Sequence, residues 1–229
     1  MPRFTELIAS EDEQGLVTTY HHACQLVSFL IMPAIGVGVL FSREILTLWT
    51  RDVSIADNTS AVLSLLLIGT MFNALYHIPY NLQLAYGWNK LGLYSAAISA
   101  LLVAPASTIS VMKYGLAGPA VVWLVFNFCY LVLVIPIMHR KILVSEKRAW
   151  YLHDTITPLL SSFAVVLFWR ILSYMPALQV FGFLPRLYRT LPFIILSLLS
   201  GYAVTAYLSA PIRNGILNLL LRRQGYGVG

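Results

Sequence analysis

AVLSLLLIGTMFNALYHIPYNLQLAY, residues 61–86, contains no Lys, Arg, Asp or Glu. A hydrocarbon core about 30 Å thick takes about 20 apolar residues of helix to cross. The stretch is far longer than the 9–11 residues of a membrane barrel strand, and backbone groups in lipid must bond within their own segment. It is therefore a transmembrane helix. Five further runs have the same character, at 20–41, 91–112, 116–138, 155–178 and 190–210. The pattern predicts an all-α, polytopic membrane protein of about six transmembrane helices.

Composition agrees. Hydrophobic residues make up 59% of the chain and charged residues 10%, with a mean hydropathy of +0.76; soluble domains carry about 25% charged residues. The net charge of +6 does not mark a nucleic-acid surface, because the basic residues lie singly or in pairs beside apolar runs instead of forming one face. Cys24 and Cys129 both fall inside apolar runs, which excludes a disulfide framework and the usual zinc-ligand spacing. The opening Met1-Pro2-Arg3-Phe4-Thr5-Glu6 lacks a secretory signal's apolar core, so no cleavage is expected.

Lys and Arg counted on alternate sides of the spans give the orientation. One side receives nine, with Arg140, Lys141, Lys147 and Arg148 clustered together; the other receives five, and Arg170 remains inside a span. The richer side is the cytoplasm, so both termini are expected there. The stretch Ser42 to Thr50, with Trp49, reads as an interfacial segment on the outer side, and Trp88 and Trp150 as anchors on the inner side. The chain divides into a cytoplasmic N-terminal stretch (1–19), four helices (20–138), a charged cytoplasmic linker (139–154), a further helix pair (155–210) and a cytoplasmic tail (211–229). Pro33, Pro79, Pro105, Pro119 and Pro136 within or at the ends of spans read as kinks that serve packing.

Polar residues inside spans are the functional candidates. Thr70, Asn73, His77 and Asn81 share one helical face by their spacing of three and four. Such a face avoids lipid, and looks either into a wet cavity or onto another helix as hydrogen-bonding glue. His77 reads as neutral and hydrogen-bonded, since no Asp or Glu falls inside any of the six runs to serve a proton relay. Trp123, Asn127 and Tyr130 form a second stripe that joins a flat aromatic surface to an amide, suited to a sugar or to plain packing. Ser95, Ser99, Ala106 and Ser110 form a small-residue stripe for close helix approach. Arg170 lies in the outward half of its run, where it either snorkels to the headgroups or attracts a lipid phosphate. No paired acid and base, phosphate loop or metal motif is present, so neither an enzyme nor a cofactor nor a metal is expected.

Four groups of residues carry a family resemblance: Pro2-Arg3-Phe4-Thr5-Glu6-Leu7-Ile8-Ala9; Glu44-Ile45-Leu46-Thr47-Leu48-Trp49-Thr50; Pro79 followed by Ala85-Tyr86-Gly87-Trp88-Asn89-Lys90; and Tyr114-Gly115-Leu116-Ala117-Gly118-Pro119-Ala120. Their order and spacing resemble the polysaccharide-type transporters of the multidrug, oligosaccharidyl-lipid and polysaccharide exporter superfamily, especially the O-antigen type flippases. The resemblance aligns the chain with the last six helices of a fourteen-helix, two-lobe member, making 20–138 part of the C-terminal lobe and leaving the N-terminal lobe missing. It implies a bacterial inner-membrane protein that flips lipid-linked oligosaccharide. Thr70, Asn73, His77, Asn81, Trp123, Asn127 and Tyr130 would line the glycan cavity, Arg170 would meet the lipid phosphate, and the final helix pair would flank the lipid tail. Its partners would be membrane lipid, the lipid-linked substrate, and the missing lobe or another copy, with no nucleic acid. The rival readings are a drug-exporter relative and a six-helix structural membrane protein without transport. A lone lobe is expected to insert without flipping substrate.

Overall fold

The computed structural model describes residues 2–175, 186–209 and 211–215, with side chains left aside at 186–188. The helices named below are α1 (Pro2–Ala9), α2 (Glu13–Leu40), α3 (Ser42–Thr50), α4 (Val53–Ala85), α5 (Asn89–Tyr114), α6 (Ala117–His139), α7 (Val144–Leu172) and α8 (Arg186–Leu208), and residues 211–215 are helical as well. No strand occurs among the described residues. Six helices are long and apolar enough to cross a membrane, and the protein is multi-pass. Most of the tail expected at 211–229 lies outside the described residues, as do Arg222 and Arg223 of the charge count.

Several helices run past the apolar windows because polar residues cap them. Asp12 accepts from the Gly15 backbone N–H at 2.8 Å and starts α2. Asp52 accepts from Ser54 and Ile55 and starts α4, directly after Arg51 turns the chain with φ 56°. Both are side-chain caps for backbone donors that a helix start leaves unpaired. At the other turns Gly87 and Gly115 adopt φ of 67° and 61°, where a side chain would be strained.

α2 lies at the centre, packed by α4, α7 and α8, while α5 packs chiefly on α6 at the edge and buries only Gly92. The core joins Tyr20, Met32, Leu82, Ile135, Met138 and Trp150. This corrects one anchor: Trp150 is 1% exposed and packs beside His139 and Tyr151 instead of meeting an interface. Trp49, 82% exposed on α3, has the exposure an interfacial residue needs. Trp88 is half-buried beneath the Lys141 ammonium, 4.6 Å from its ring.

The linker drawn at 139–154 is mostly helix. After a short turn the backbone enters a 3-10 turn at Val144–Glu146 and a π-helical stretch at Trp150–Ile156, which leads into the apolar part of α7. Charge spacing hid this, since helix continuation here rests on tertiary partners. Pro158 has no N–H for the Asp154 carbonyl four residues back, and Ser28 Oγ of α2 donates to that carbonyl at 2.5 Å. Pro136 likewise has no donor for the π-register carbonyl of Leu131, which accepts from Tyr151 OH at 2.6 Å. Pro33 in α2 meets Gly201 of α8, and Tyr202 OH donates to Leu30 O at 2.9 Å. Helix breaks in a membrane are tolerated where neighbours supply the missing bonds.

Candidate cleft between the fourth, fifth and sixth helices

α4 and α6 come together where α4 carries Gly69. A Cβ there would lie 2.5 Å from Trp123 Cδ1 and 3.1 Å from Leu124 Cα. One turn on, Asn73 Nδ2 donates to Asn127 Oδ1 at 2.8 Å, and Asn127 Nδ2 donates to Trp123 O at 2.8 Å. Asn127 is 3% exposed, so this amide pair is glue between helices. Asn73 is only half-buried, and no hydrogen bond among the described residues uses its Oδ1.

α5 crosses nearby and closes a cleft of about 290 Å³, just below the roughly 300–1,000 Å³ typical of small-molecule sites. Asn73, Tyr76, His77 and Tyr80 line it from α4, Ser99 and Val103 from α5, and Trp123, Phe126, Asn127 and Tyr130 from α6. The rings form a continuous wall: Tyr76 lies 4.8 Å from Tyr130 and 5.6 Å from Tyr80, centroid to centroid. Tyr130 OH donates to Ser95 O at 3.1 Å and accepts from Ser99 Oγ at 2.7 Å, which ties α6 to α5.

Five of the seven sequence-read cavity residues thus meet: Asn73, His77, Trp123, Asn127 and Tyr130. Thr70 is exposed with its hydroxyl bonded back to Leu66 O, and Asn81 is half-buried; neither lines the cleft. The helical stripe was longer than the cleft. His77 is exposed and has no hydrogen bond among the described residues, so the hydrogen-bonded reading of it is replaced by a ring open to the cleft. Tyr76 and Tyr80, which also line the cleft, were not singled out from the sequence. Ser95 and Ser99 do mark close approach to α6, as does Ser110, whose carbonyl oxygen would lie 2.4 Å from a Cβ on Gly118.

Arg170 is elsewhere. Its Nη1 donates to Glu44 Oε1 of α3 at 2.7 Å, and its guanidinium lies over the rings of Phe41 and Tyr174 at 4.9 and 4.8 Å. The side chains are 17% and 11% exposed, so an arginine that would be expensive in lipid has an internal counter-ion. Among the described residues, none of α7 or α8 lines the cleft.

Residues 2–109 match the MatE family model. The matched stretch takes in α1 to α4 and most of α5, so the cleft straddles its end: Asn73 and His77 lie inside it, Trp123, Asn127 and Tyr130 beyond. The chain is 36% identical over 102 residues to a protein of Shigella flexneri named "Putative O-antigen transporter". That match takes in 43% of this chain and 23% of the relative, so the chain spans less than a quarter of the relative's length in the match. No solved structure matches. The family-model match and this relative agree with the resemblance to the exporter superfamily, for a partial member.

Proposed function

We propose that the chain is the later part of a flippase for lipid-linked oligosaccharide in a bacterial inner membrane, and that the cleft between α4, α5 and α6 contacts the glycan head group. The observation that carries this reading is the composition of the cleft. Flat faces of Tyr76, Tyr80, Tyr130 and Trp123 suit the apolar faces of sugar rings, while Asn73 and His77 offer polar atoms for hydroxyls. Among the described residues no carboxylate lines the cleft, so these walls offer a cationic drug no counter-charge. The name of the Shigella flexneri relative supports a glycan substrate.

Flipping by alternating access takes two bodies moving about a shared site, so the substrate-moving unit is this chain with the missing N-terminal lobe. Both termini are cytoplasmic in this reading, following the distribution of Lys and Arg. The test is restoration of surface polysaccharide in a flippase-deleted strain. The chain alone is expected to insert and restore nothing; with the N-terminal part it restores polysaccharide, and Tyr76→Ala with His77→Ala abolishes that restoration at unchanged membrane level. Full restoration by the double variant would remove the cleft from the reading. Restoration by the chain alone would replace the two-lobe unit with a second copy.

A further inference from the structure

His21 lies two turns into α2, with both ring nitrogens facing carboxylates of α7. Nδ1 is 2.5 Å from Asp154 Oδ2 and Nε2 is 3.1 Å from Glu146 Oε2. Asp154 is 1% exposed, and its other carboxylate oxygen accepts from Gln25 Nε2 at 2.9 Å. Glu146 differs: its side chain is 23% exposed, and it sits in the 3-10 turn that opens α7, with Ser145 Oγ donating to its other oxygen. Ionised carboxylates only accept hydrogen bonds. Two contacts of this kind therefore require two donating nitrogens, which is the imidazolium, or a proton held on one carboxyl beside a neutral ring. Either arrangement contains the same proton, and the three side chains together carry a charge of −1.

We propose that His21, Asp154 and Glu146 form a binding site for one exchangeable proton, whose release at His21 Nε2 unfastens the 3-10 turn that opens α7 from α2. The proton passes from Nε2 to water on the partly exposed Glu146 side, and the cluster goes from −1 to −2. The neutral ring keeps its Nδ1–H on Asp154, because stranding that buried carboxylate is the more costly loss. The Nε2 lone pair then faces the Glu146 carboxylate, two acceptors with no hydrogen between them, and this contact is given up. Histidine is the side chain whose ordinary charge change falls between about pH 5 and 8.

The other titratable or charged groups facing the cluster are Tyr20 and Cys24 of α2, Tyr151 and Lys147 of α7, and His139 at the end of α6. His139 is fully served as a neutral ring, since its Nδ1 donates to Ile135 O at 3.1 Å and its Nε2 accepts from Tyr20 OH at 3.3 Å. The proton site uses no cleft residue, so it holds or fails independently of the proposed substrate.

The chain in lipid nanodiscs, with ring-15N histidine, tests this, the five histidines being assigned by single His→Gln variants. Spin labels at the exposed positions Thr18 of α2 and Val144 of the turn report their separation. Between about pH 5 and about pH 9, His21 is expected to lose one proton from Nε2 while Nδ1 stays protonated, and the label separation to lengthen in one step at the same midpoint. Glu146→Gln should abolish the distance step, because an amide can accept from Nε2–H or donate to the bare nitrogen, and His139→Gln should leave it in place. A His21 ring that keeps one protonation state across the range overturns the proposal. So does a titration without a distance step, or a step that persists in Glu146→Gln.

Discussion

Gly69→Ala tests the packing that shapes the cleft. Ordinary contact with a Cβ begins near 3.4 Å. The added methyl at 2.5 Å from Trp123 Cδ1 requires the indole to retreat by 3.4 − 2.5 = 0.9 Å, and at 3.1 Å from Leu124 Cα it requires the α6 backbone to move by 3.4 − 3.1 = 0.3 Å. Overpacking of this kind costs about 1–3 kcal/mol, and alanine offsets about 0.8–1.0 kcal/mol of it as the better helix former. The net expectation is a loss of about 0–2 kcal/mol. In a Trp123→Ala background the indole clash is gone and only the small backbone contact remains. The same substitution then becomes neutral, or stabilising by up to about 1 kcal/mol. Unfolding equilibria in lipid bicelles for the four proteins of this cycle should give a coupling of about 1–3 kcal/mol. Additivity within about 0.5 kcal/mol would refute the close approach of α4 and α6 at this point.

Three further outcomes follow from the geometry. A cysteine at His77 should react quickly with a small water-soluble thiol reagent, whereas one at the buried Leu75 should not; equal rates would close the cleft to water. Arg170→Gln leaves Glu44 unpaired at 11% exposure and should cost up to about 3–5 kcal/mol, while adding Glu44→Gln recovers most of it in the same unfolding assay. Labels at Ser145 and Ser54 should report opposite sides of the membrane, with Ser145 in the cytoplasm. Ser54 is exposed at the start of α4, which suits it to the label.

The spans were legible because bilayer thickness acts on every residue of a helix at once, so six apolar windows survive any local exception. Half the cleft was legible for a similar reason: Asn73 with His77, and Trp123 with Asn127 and Tyr130, are expensive groups at helical spacing. Tyr76 and Tyr80 carry no such expense, and nothing local separates an aromatic ring in a cleft wall from one in a core. Asp154 escaped because it lies one residue before the apolar run at 155–178, and its burial comes from His21, Gln25 and Ser28, more than 120 positions away along the chain. Arg170 and Glu44 are 126 positions apart, which is why the arginine suggested a lipid partner before its carboxylate was known.

The cleft also has one wall held far less firmly than the other two. α7 is fastened to α2 by His21 and Asp154 and to α3 by Arg170 and Glu44, and α3 is fastened to α4 by Arg43 and Asp57. α5 has no ion pair among the described residues, and buries only Gly92. Burial in lipid gives apolar helices little reason to associate, so packing and hydrogen bonds decide. The side-chain hydrogen bonds between α5 and α6 both end on Tyr130 OH, while the Tyr130 ring stacks on Tyr76 of α4. Tyr130→Phe keeps the ring and removes both bonds. At about 0.6 kcal/mol for each membrane hydrogen bond, the loss is about 1.2 kcal/mol, or roughly an eightfold rise in the opening of α5. Backbone hydrogen exchange over residues 89–114 in nanodiscs should quicken by that factor, and exchange over α2 should not change. Unchanged exchange in α5 would mean that the hydroxyl does not hold this wall, and that packing against α6 alone sets the width of the cleft.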